Sequence, residues 1–321
     1  MIRIGILGYG RLGRAVELAA VESEIFDVAA VFTRRDVAEV RTIFSKVEKE
    51  SNLEKYSDEI DVLVICHGSA TDAHSDALRL CKSFNIVDTY DNHERMKEHI
   101  NEVGRISNEL KKTALLAMGW DPGLMSLMRG IFSAFMPYAG VSSFWGRGIS
   151  QGHSQALRAI DGVIDAVQFT VPKQEEIEKA YNSGSVCKIR KGHKRVCFIA
   201  AEKGKEDDVI NAVLGLENYF KGYEVEINFV DKKAVGEMKQ QLFHRGRVIA
   251  SGRCGENGAI HSATLNLRIG SNPDFTARIA LAAALGCHRL YLEKCYGAYT
   301  IFDVPPRIFH SNEEKDYMDF L

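Results

Sequence analysis

Short apolar blocks broken by polar and glycine-rich stretches alternate along the first 120 residues. "IRIGIL" (Ile2 to Leu7), "DVAAVF", "DVLVI", "NIV" and "TALLAM" read as buried strands, because apolar runs of this length suit a sheet covered on both faces. Between them "RAVELAAV", "AHSDALRLCKSF" and a segment from about Glu94 to Lys111 space their apolar residues as helices do. Strand and helix alternating in this way predict a doubly wound parallel sheet of the α/β class. Two strands end in an unusual manner. "NIVDTYDNH" passes from an apolar pair into Asp88, Asp91 and His93, and "TALLAMGWDPG" passes into Trp120, Asp121 and Pro122. Ligands of such sheets lie beyond the carboxyl ends of the strands, and a carboxylate buried anywhere else is costly. Asp91 and Asp121 are therefore candidate ligand-facing groups.

After Asp121-Pro122-Gly123 the texture changes. "LMSLMRGIFSAFM" predicts an apolar-faced helix, and strands are expected at 141–146, 166–171, 195–201, 223–230, 247–252 and 260–269. "YEVEINFV" alternates polar and apolar, as a half-exposed sheet should, so an antiparallel or mixed sheet with one covered face is expected. The Ala-rich helix "FTARIALAAALGCHRLYLEK" is expected to return to the first half. The expected domains are thus 1–121, completed by part of 273–321, and an α+β domain over 122–272 for substrate binding and dimerisation.

The first break carries chemistry. Gly8-x-Gly10-x-x-Gly13 stands between a predicted strand and a predicted helix, the context that makes this fingerprint of a Rossmann dinucleotide site specific. Gly8 makes the turn, Gly10 admits a pyrophosphate to the backbone, and Gly13 lets helix and strand pack closely. The second strand ends in Thr33-Arg34-Arg35, where an NAD site usually places an acid for the ribose 2′-OH. A hydroxyl and two guanidiniums suit a 2′-phosphate, so NADP is the expected cofactor. Asp36 lies past the strand end and is read as salt-bridged. The end of the third long strand offers His67, Gly68, Ser69 and Thr71.

In the second half "FWGRGISQGHSQALRAI" places Trp145, Gln151, Gly152 and His153 in a glycine-rich connection, with Ser150 or Ser154 as ordinary helix caps by the plainer reading. Arg195 stands at the mouth of an apolar strand, a good position for a carboxylate clamp. "LFHRGRV" offers His244 and "GSNPDF" offers Asn272, each alone readable as a solvated or turn residue. As a set, carboxylates, Arg, Gln, Asn, Thr and His suit a small zwitterion.

Bulk numbers narrow the classes. The 321 residues exceed one modest core, and a net charge of −2 gives no polyanion-binding field, so nucleic acid is not expected as a partner. Seven cysteines (66, 81, 187, 197, 254, 287, 295), none in C-x-x-C, argue against a metal site or disulfide framework. No apolar run approaches a membrane span, and "IRIGILGYG" is no signal peptide, so a cytoplasmic protein is expected.

With these runs in place, "GYGRLGR", "FTRR", "HGSATD", "VDTYDNH", "GWDPG", "FWGRGISQGHSQALR", "HKRVCF", "GYEVEINF" and "NPDFTA", the sequence resembles the meso-diaminopimelate D-dehydrogenase family along essentially its whole length. The resemblance implies NADP-dependent oxidative deamination of the D-centre of meso-2,6-diaminopimelate to L-2-amino-6-oxopimelate (which cyclises to tetrahydrodipicolinate), ammonia and NADPH, in lysine and peptidoglycan precursor synthesis, by a homodimer. It implies substrate contacts at Asp91, Asp121, Trp145, Gln151, Gly152, Thr170, Arg195, His244 and Asn272. It implies cofactor contacts at Gly8, Tyr9, Gly10, Arg11, Leu12 and Gly13, at Thr33, Arg34 and Arg35, at Gly68, Ser69, Ala70 and Thr71, and at Asp121, Pro122, Gly123, Leu124 and Met125. Asp91 and Asp121 are the expected catalytic pair, Asp121 acting either as base through water or by position alone. Two departures stand out: Arg245 follows the histidine where a small residue is expected, and the loop "NSGSVCKIRKG" is basic. The competing readings are a related Rossmann amino-acid dehydrogenase with broader D-amino-acid specificity and a non-catalytic NADPH-binding sensor.

Overall fold

The computed structural model of the chain describes residues 1–68 and 72–310, and of Gln151 and Asn218 the backbone alone. It forms two compact units, residues 1–127 with the segment from Pro273 onward, and residues 128–272. In the first, β1 (Ile2–Leu7) leads to α1 (Arg11–Val21), then β2 (Phe26–Thr33), β3 (Val47–Lys49), β4 (Val62–Ile65), α2 (Ala73–Leu80), β5 (Ile86–Asp88), α3 (Met96–Glu109) and β6 (Thr113–Leu115), and α4 (Leu124–Phe135) carries the chain on into the second. These strands and a last one, Gly297–Tyr299, make a seven-stranded sheet in the order Gly297–Tyr299, β6, β5, β4, β1, β2, β3, and every pairing is parallel. The order reverses direction between β1 and β4, which opens a crevice beyond their carboxyl ends.

Apolar residues cover both faces of this sheet, which is why its strands are continuous Val/Ile runs. Ile4, Ile6, Val31, Val62, Val64, Val87 and Leu115 pack against α1 and the helix Asn272–Leu292. Leu7, Phe32, Leu63, Ile65, Ile86 and Ala114 face α2 and α3. Ile6→Ala would leave a void in a fully buried strand and cost about 2–5 kcal/mol. The helix Asn272–Leu292 buries Ala277, Ala280, Ala283 and Ala284 against the sheet, small residues that let it lie close. β6 is shorter than the run "TALLAM" predicts, because Ala117 turns the chain at φ +58°.

The second unit contains β7 (Gly140–Trp145), β8 (Gly148–Ile149), β9 (Val163–Pro172), β10 (His193–Ala201), β11 (Glu224–Phe229), β12 (His244–Cys254) and β13 (Ala259–Ile269). Its strands divide between two sheets, where one was expected. A four-stranded sheet runs β11-β10-β9-β8, with β10 and β11 parallel and the others antiparallel, and a three-stranded antiparallel sheet runs β13-β12-β7. The larger sheet is covered on both faces. Leu157, Val209, Val213 and Phe220 close over Ala166, Cys197 and Ile199, and Val235 closes over Val167, Phe169 and Val196. Among the described residues no helix is long and apolar enough to cross a membrane.

Candidate active site

Five strand ends of the first unit bring candidate groups to one edge of one sheet. The turn after β1 has Gly8 at φ +92°, and a side chain there would strike the His67 ring at 2.4 Å. A Cβ on Gly13 would lie 2.0 Å from the Gly8 carbonyl, so Gly13 cannot be replaced without moving backbone, nor Gly8 without strain and a displaced His67 ring. Gly10 differs: nothing lies within 4 Å of where its Cβ would be, so its bareness keeps an approach open. Gly10 also caps α1, which has no side-chain cap and no acid in its first turn. The amides of Arg11, Leu12 and Gly13 are thus the positive end of a helix dipole at a glycine-lined opening.

Beside this opening lies a cleft of about 300 Å³ lined by Tyr9, Gly10, Arg11, Arg14, Arg35, Glu39, Val40 and Arg41. Four guanidiniums face one carboxylate, a field that attracts a phosphate. Arg35 reaches back to donate to the Tyr9 carbonyl at 2.6 Å, and buried Thr33 accepts the Arg35 amide at 3.1 Å. Arg34 is differently employed. Its guanidinium meets Glu50 at 2.7 Å, Asp76 at 2.7 and 2.8 Å and Asp72 at 3.1 Å, and Asp76 also holds His67 at 2.6 Å. Sequence reasoning missed Arg14 and Arg41. Arg14 had a visible signal, standing right after Gly13, whereas Arg41 follows its strand by eight residues.

The Arg41 loop is held by a residue that no motif pointed to. Glu17 on α1 is 0% exposed, takes the Tyr9 hydroxyl, and accepts the amides of Ile43 and Phe44 at 3.0 Å and of Ser45 at 2.7 Å. Burial works against its charge, but the Tyr9 hydroxyl and these amides outweigh it and hold its carboxyl down to about 2. Burial, and then the bond to Glu17, push Tyr9 up to about 12. One carboxylate therefore joins the fingerprint turn, α1 and the basic loop.

Gly68, after β4, is exposed; Ser69, Ala70 and Thr71 lie outside the described residues. Asp91 follows β5 and is exposed, and Asp121 follows β6 and is half-buried. Asp121 enters a cis peptide bond to Pro122. Gly123 then turns at φ +120° with its Cα against the Gly119 carbonyl, and Leu124 and Met125 begin α4 by donating to Gly119 and Trp120 at 3.1 and 2.8 Å.

In the second unit the larger sheet presents a polar patch on the face that also carries Ala166 and Ile199. Thr170 pairs in register with Arg195, and Gln168 with Cys197, so these four side chains share that face. Arg195 is 8% exposed, donates to the Thr170 hydroxyl, and lies over the Tyr223 ring at 4.1 Å. Its Nε has no partner, and no carboxylate pairs with it among the described residues. Desolvation lowers its pKa from the ordinary value. Gln168, 0% exposed, has neither amide atom partnered among the described residues, and no sequence signal marked it. His153 sits edge-on to Tyr219 and Phe220, and burial, then the Arg195 charge, pull it down to about 4. It is therefore neutral at physiological pH.

The remaining predicted groups lie in the same unit. The Trp145 amide donates to His193 Nε2 at 2.9 Å, and burial holds His193 down to about 4. His244 places Nε2 3.1 Å from the Ile149 carbonyl, its ring filling the space a side chain on Gly148 would need. Gly152 is exposed in the first turn of the helix Gln151–Arg158, with nothing near its missing Cβ. Asn272 donates its amide to Leu242 at 2.9 Å as it opens the helix Asn272–Leu292. Arg245 is exposed, its carbonyl accepting the Gly146 amide at 2.8 Å.

Residues 119–271 match the model of the diaminopimelic acid dehydrogenase C-terminal domain. The meso-diaminopimelate D-dehydrogenase of Acetivibrio thermocellus is 36% identical over 310 residues, 95% of this chain and 93% of that protein. The chain belongs to the meso-diaminopimelate D-dehydrogenase family. Among solved structures, the diaminopimelate dehydrogenase of Corynebacterium glutamicum in complex with DAP superposes with a TM-score of 0.92 at 34% identity, over 99% of this chain and 98% of that one. An engineered D-amino acid dehydrogenase bound to NADP+ superposes with a TM-score of 0.89 at 34% identity, with the same coverage. The family's parallel-sheet unit and its separate sheet unit are both present here.

Proposed function

We propose that this chain catalyses the reversible NADP-dependent oxidative deamination of the D-centre of meso-2,6-diaminopimelate to L-2-amino-6-oxopimelate and ammonia. The observation that carries this reading is Arg195: a buried guanidinium without a counter-ion among the described residues is costly until an anion arrives. A carboxylate end of a two-headed amino acid supplies that anion. The C. glutamicum relative is solved with DAP and the engineered relative with NADP+, and we take the same two ligands for this chain.

In this reading Gly8, Gly10 and Gly13, with the amides of Tyr9, Arg11, Leu12 and Gly13, hold the pyrophosphate. Thr33, Arg35, Arg11, Arg14 and Arg41 hold the 2′-phosphate, and Arg34 stands beside them in its ion pairs with Glu50, Asp72 and Asp76. Gly68 to Thr71 and Asp121 to Met125 complete the cofactor contacts. When bound, NADP+ supplies the hydride acceptor. Arg195, with Thr170 and His244, fixes the inert L-end carboxylate, while Trp145, Gln151 and Gly152 align the reacting end and Asn272 completes the set. Holding the remote end fixes register, and orientation of this kind supplies much of the rate. Asp91 and Asp121 pair with the substrate ammonium. Hydride loss needs the neutral amine, so Asp121 passes its proton to water. Water then adds to the iminium carbon and ammonia leaves. The protein works as a homodimer built on its second unit, in the cytoplasm, supplying lysine and peptidoglycan precursors.

The test is absorbance at the nicotinamide band with NADP+ and meso-diaminopimelate, beside the LL isomer, simple D-amino acids and NAD+. Reduction is expected with the meso isomer and NADP+. Equal turnover of simple D-amino acids would replace the proposed substrate by a broader class, and no reduction with any amino acid would leave a nucleotide-binding sensor.

A further inference from the structure

Asp88 has no place in that scheme, yet its carboxylate is buried and bonded on both oxygens at the sheet edge. It ends β5 and is 1% exposed. Its Oδ1 accepts the Tyr90 amide at 3.1 Å and, from the neighbouring strand's exit, the Ala117 amide at 2.8 Å. Its own carbonyl accepts the Met118 amide at 2.9 Å. Ala117 stands at φ +58°, a conformation that side-chain-bearing residues rarely adopt, and the Asp88 bond holds it there. A single residue thus ties together the two exits that carry Asp91 and Asp121. Asp88 Oδ2 lies 2.7 Å from Nε2 of His99, a side chain with no exposed surface. The Tyr90 ring stacks on His99 at 4.1 Å and 24°, and His99 Nδ1 is 2.9 Å from His74 Nδ1. A carboxylate only accepts, so His99 Nε2 carries a proton, and a single proton serves the contact between His99 Nδ1 and His74 Nδ1. A residue kept only for packing could be apolar, whereas these contacts require an acceptor for the two amides at 88 and a hydrogen-bonding ring at 99.

We propose that Asp88 and His99 are positioning residues that set where Asp91 and Asp121 stand during the hydride step. The proposal rests on the reading of those two carboxylates as substrate-facing. Loss of His99 removes the partner of Asp88 Oδ2 and loosens the carboxylate that holds both exits, which misplaces the reacting amine but leaves the fingerprint turn alone.

The experiment compares His99→Leu, Asp88→Asn, Asp91→Asn and Asp121→Asn by steady-state kinetics, NADPH titration and the isotope effect on kcat with Cα-deuterated substrate. His99→Leu is expected to lower kcat about 10- to 100-fold, as a misplacement near 1 Å does. Its KM for NADP+ should stay within about twofold and its isotope effect should rise, because the chemical step becomes slower. Asp88→Asn keeps the Oδ1 acceptor, and both imidazoles can exchange tautomers to suit the amide, so it should keep kcat within about threefold. A folded His99→Leu with unchanged kcat and isotope effect, beside inactive Asp91→Asn and Asp121→Asn, overturns the proposal. Fully active Asp91→Asn and Asp121→Asn overturn instead the reading it rests on. Should His99→Leu fail to fold, Tyr90→Leu removes only the ring stacked on His99. A raised isotope effect there supports the proposal, and an unchanged one overturns it.

Discussion

The two units treat charge in opposite ways. At the edge of the parallel sheet the charges answer one another: Arg34 is ringed by Glu50, Asp72 and Asp76, Glu17 by three amides and a hydroxyl, and Asp88 by amides and His99. In the four-stranded sheet Arg195 and Gln168 are buried with polar atoms left over among the described residues, and His193 there and His153 on the helix Gln151–Arg158 are held neutral. The first arrangement stabilises the protein whether or not a ligand is bound. The second is a cost carried until something polar arrives.

The largest test of this contrast is Arg195→Met. Taking away a charge that has no counter-ion is expected to leave the melting temperature unchanged or higher. The same change should lower kcat/KM for the diamino acid about 10²- to 10³-fold, roughly 3–4 kcal/mol and within the range of a broken buried ion pair. A melt and a kinetic titration on one preparation decide it, and a fall in Tm without loss of activity would reverse the roles of the two units.

Acid should separate the units next. The folded-state values of His153 and His193, about 4, lie below the ordinary 6.5, so the unfolded chain binds their protons first. Their contribution is complete above about pH 6.5 and is lost as the pH falls toward 4. Glu17 is depressed from 4.5 to about 2, so its contribution survives until the pH passes below about 4.5. Each unit carries one tryptophan, Trp120 in the first and Trp145 in the second. Trp120→Phe and Trp145→Phe proteins should therefore show the Trp145 signal changing at the higher pH. Coincident midpoints would mean that these groups do not set acid stability.

Glu17→Gln sharpens the same comparison on the first unit alone. It should remove on the order of 2 kcal/mol at neutral pH and flatten the stability profile between pH 4.5 and 2, measured by urea melts across that range. The smallest effect is expected from Arg41→Ala. NADP+ binding should weaken about tenfold, with a shallower salt dependence, while NAD+ binding is unchanged. Equal weakening for both cofactors would place Arg41 away from the 2′-phosphate.

How much of this was legible depended on how local the cause was. The fingerprint strand Ile2–Leu7 and its glycines were readable because a turn, a packing clash and an open approach are settled within six residues. NADP was readable from Thr33 and Arg35, but the employment of Arg34 was not, since Glu50, Asp72 and Asp76 come from distant positions in the chain. The strands of the second unit were placed closely. Their division between two sheets was hidden because period-two patterns carry no partner information and the two-residue β8 gives no periodicity at all. Gln168 and Glu17 were invisible for one reason: a buried polar residue looks like an exposed one until its surroundings are known. Asp88 lay inside a quoted motif and was passed over for Asp91, which the chain places at the surface.

The helix Asn272–Leu292 and the strand Gly297–Tyr299 belong to the first unit, although 145 residues of the second intervene between Leu127 and Pro273. A third of one core face, Ala277 through Leu290, is therefore absent while the chain is being synthesised from its amino end. The second unit is complete as soon as Asn272 has left the ribosome, and the nucleotide-binding unit must wait with β6 as an open edge until the last strand arrives. In this molecule the later-encoded unit has everything it needs to fold before the earlier one does, and the interval in which "TALLAM" stands uncovered is the period when a chaperone has most to do.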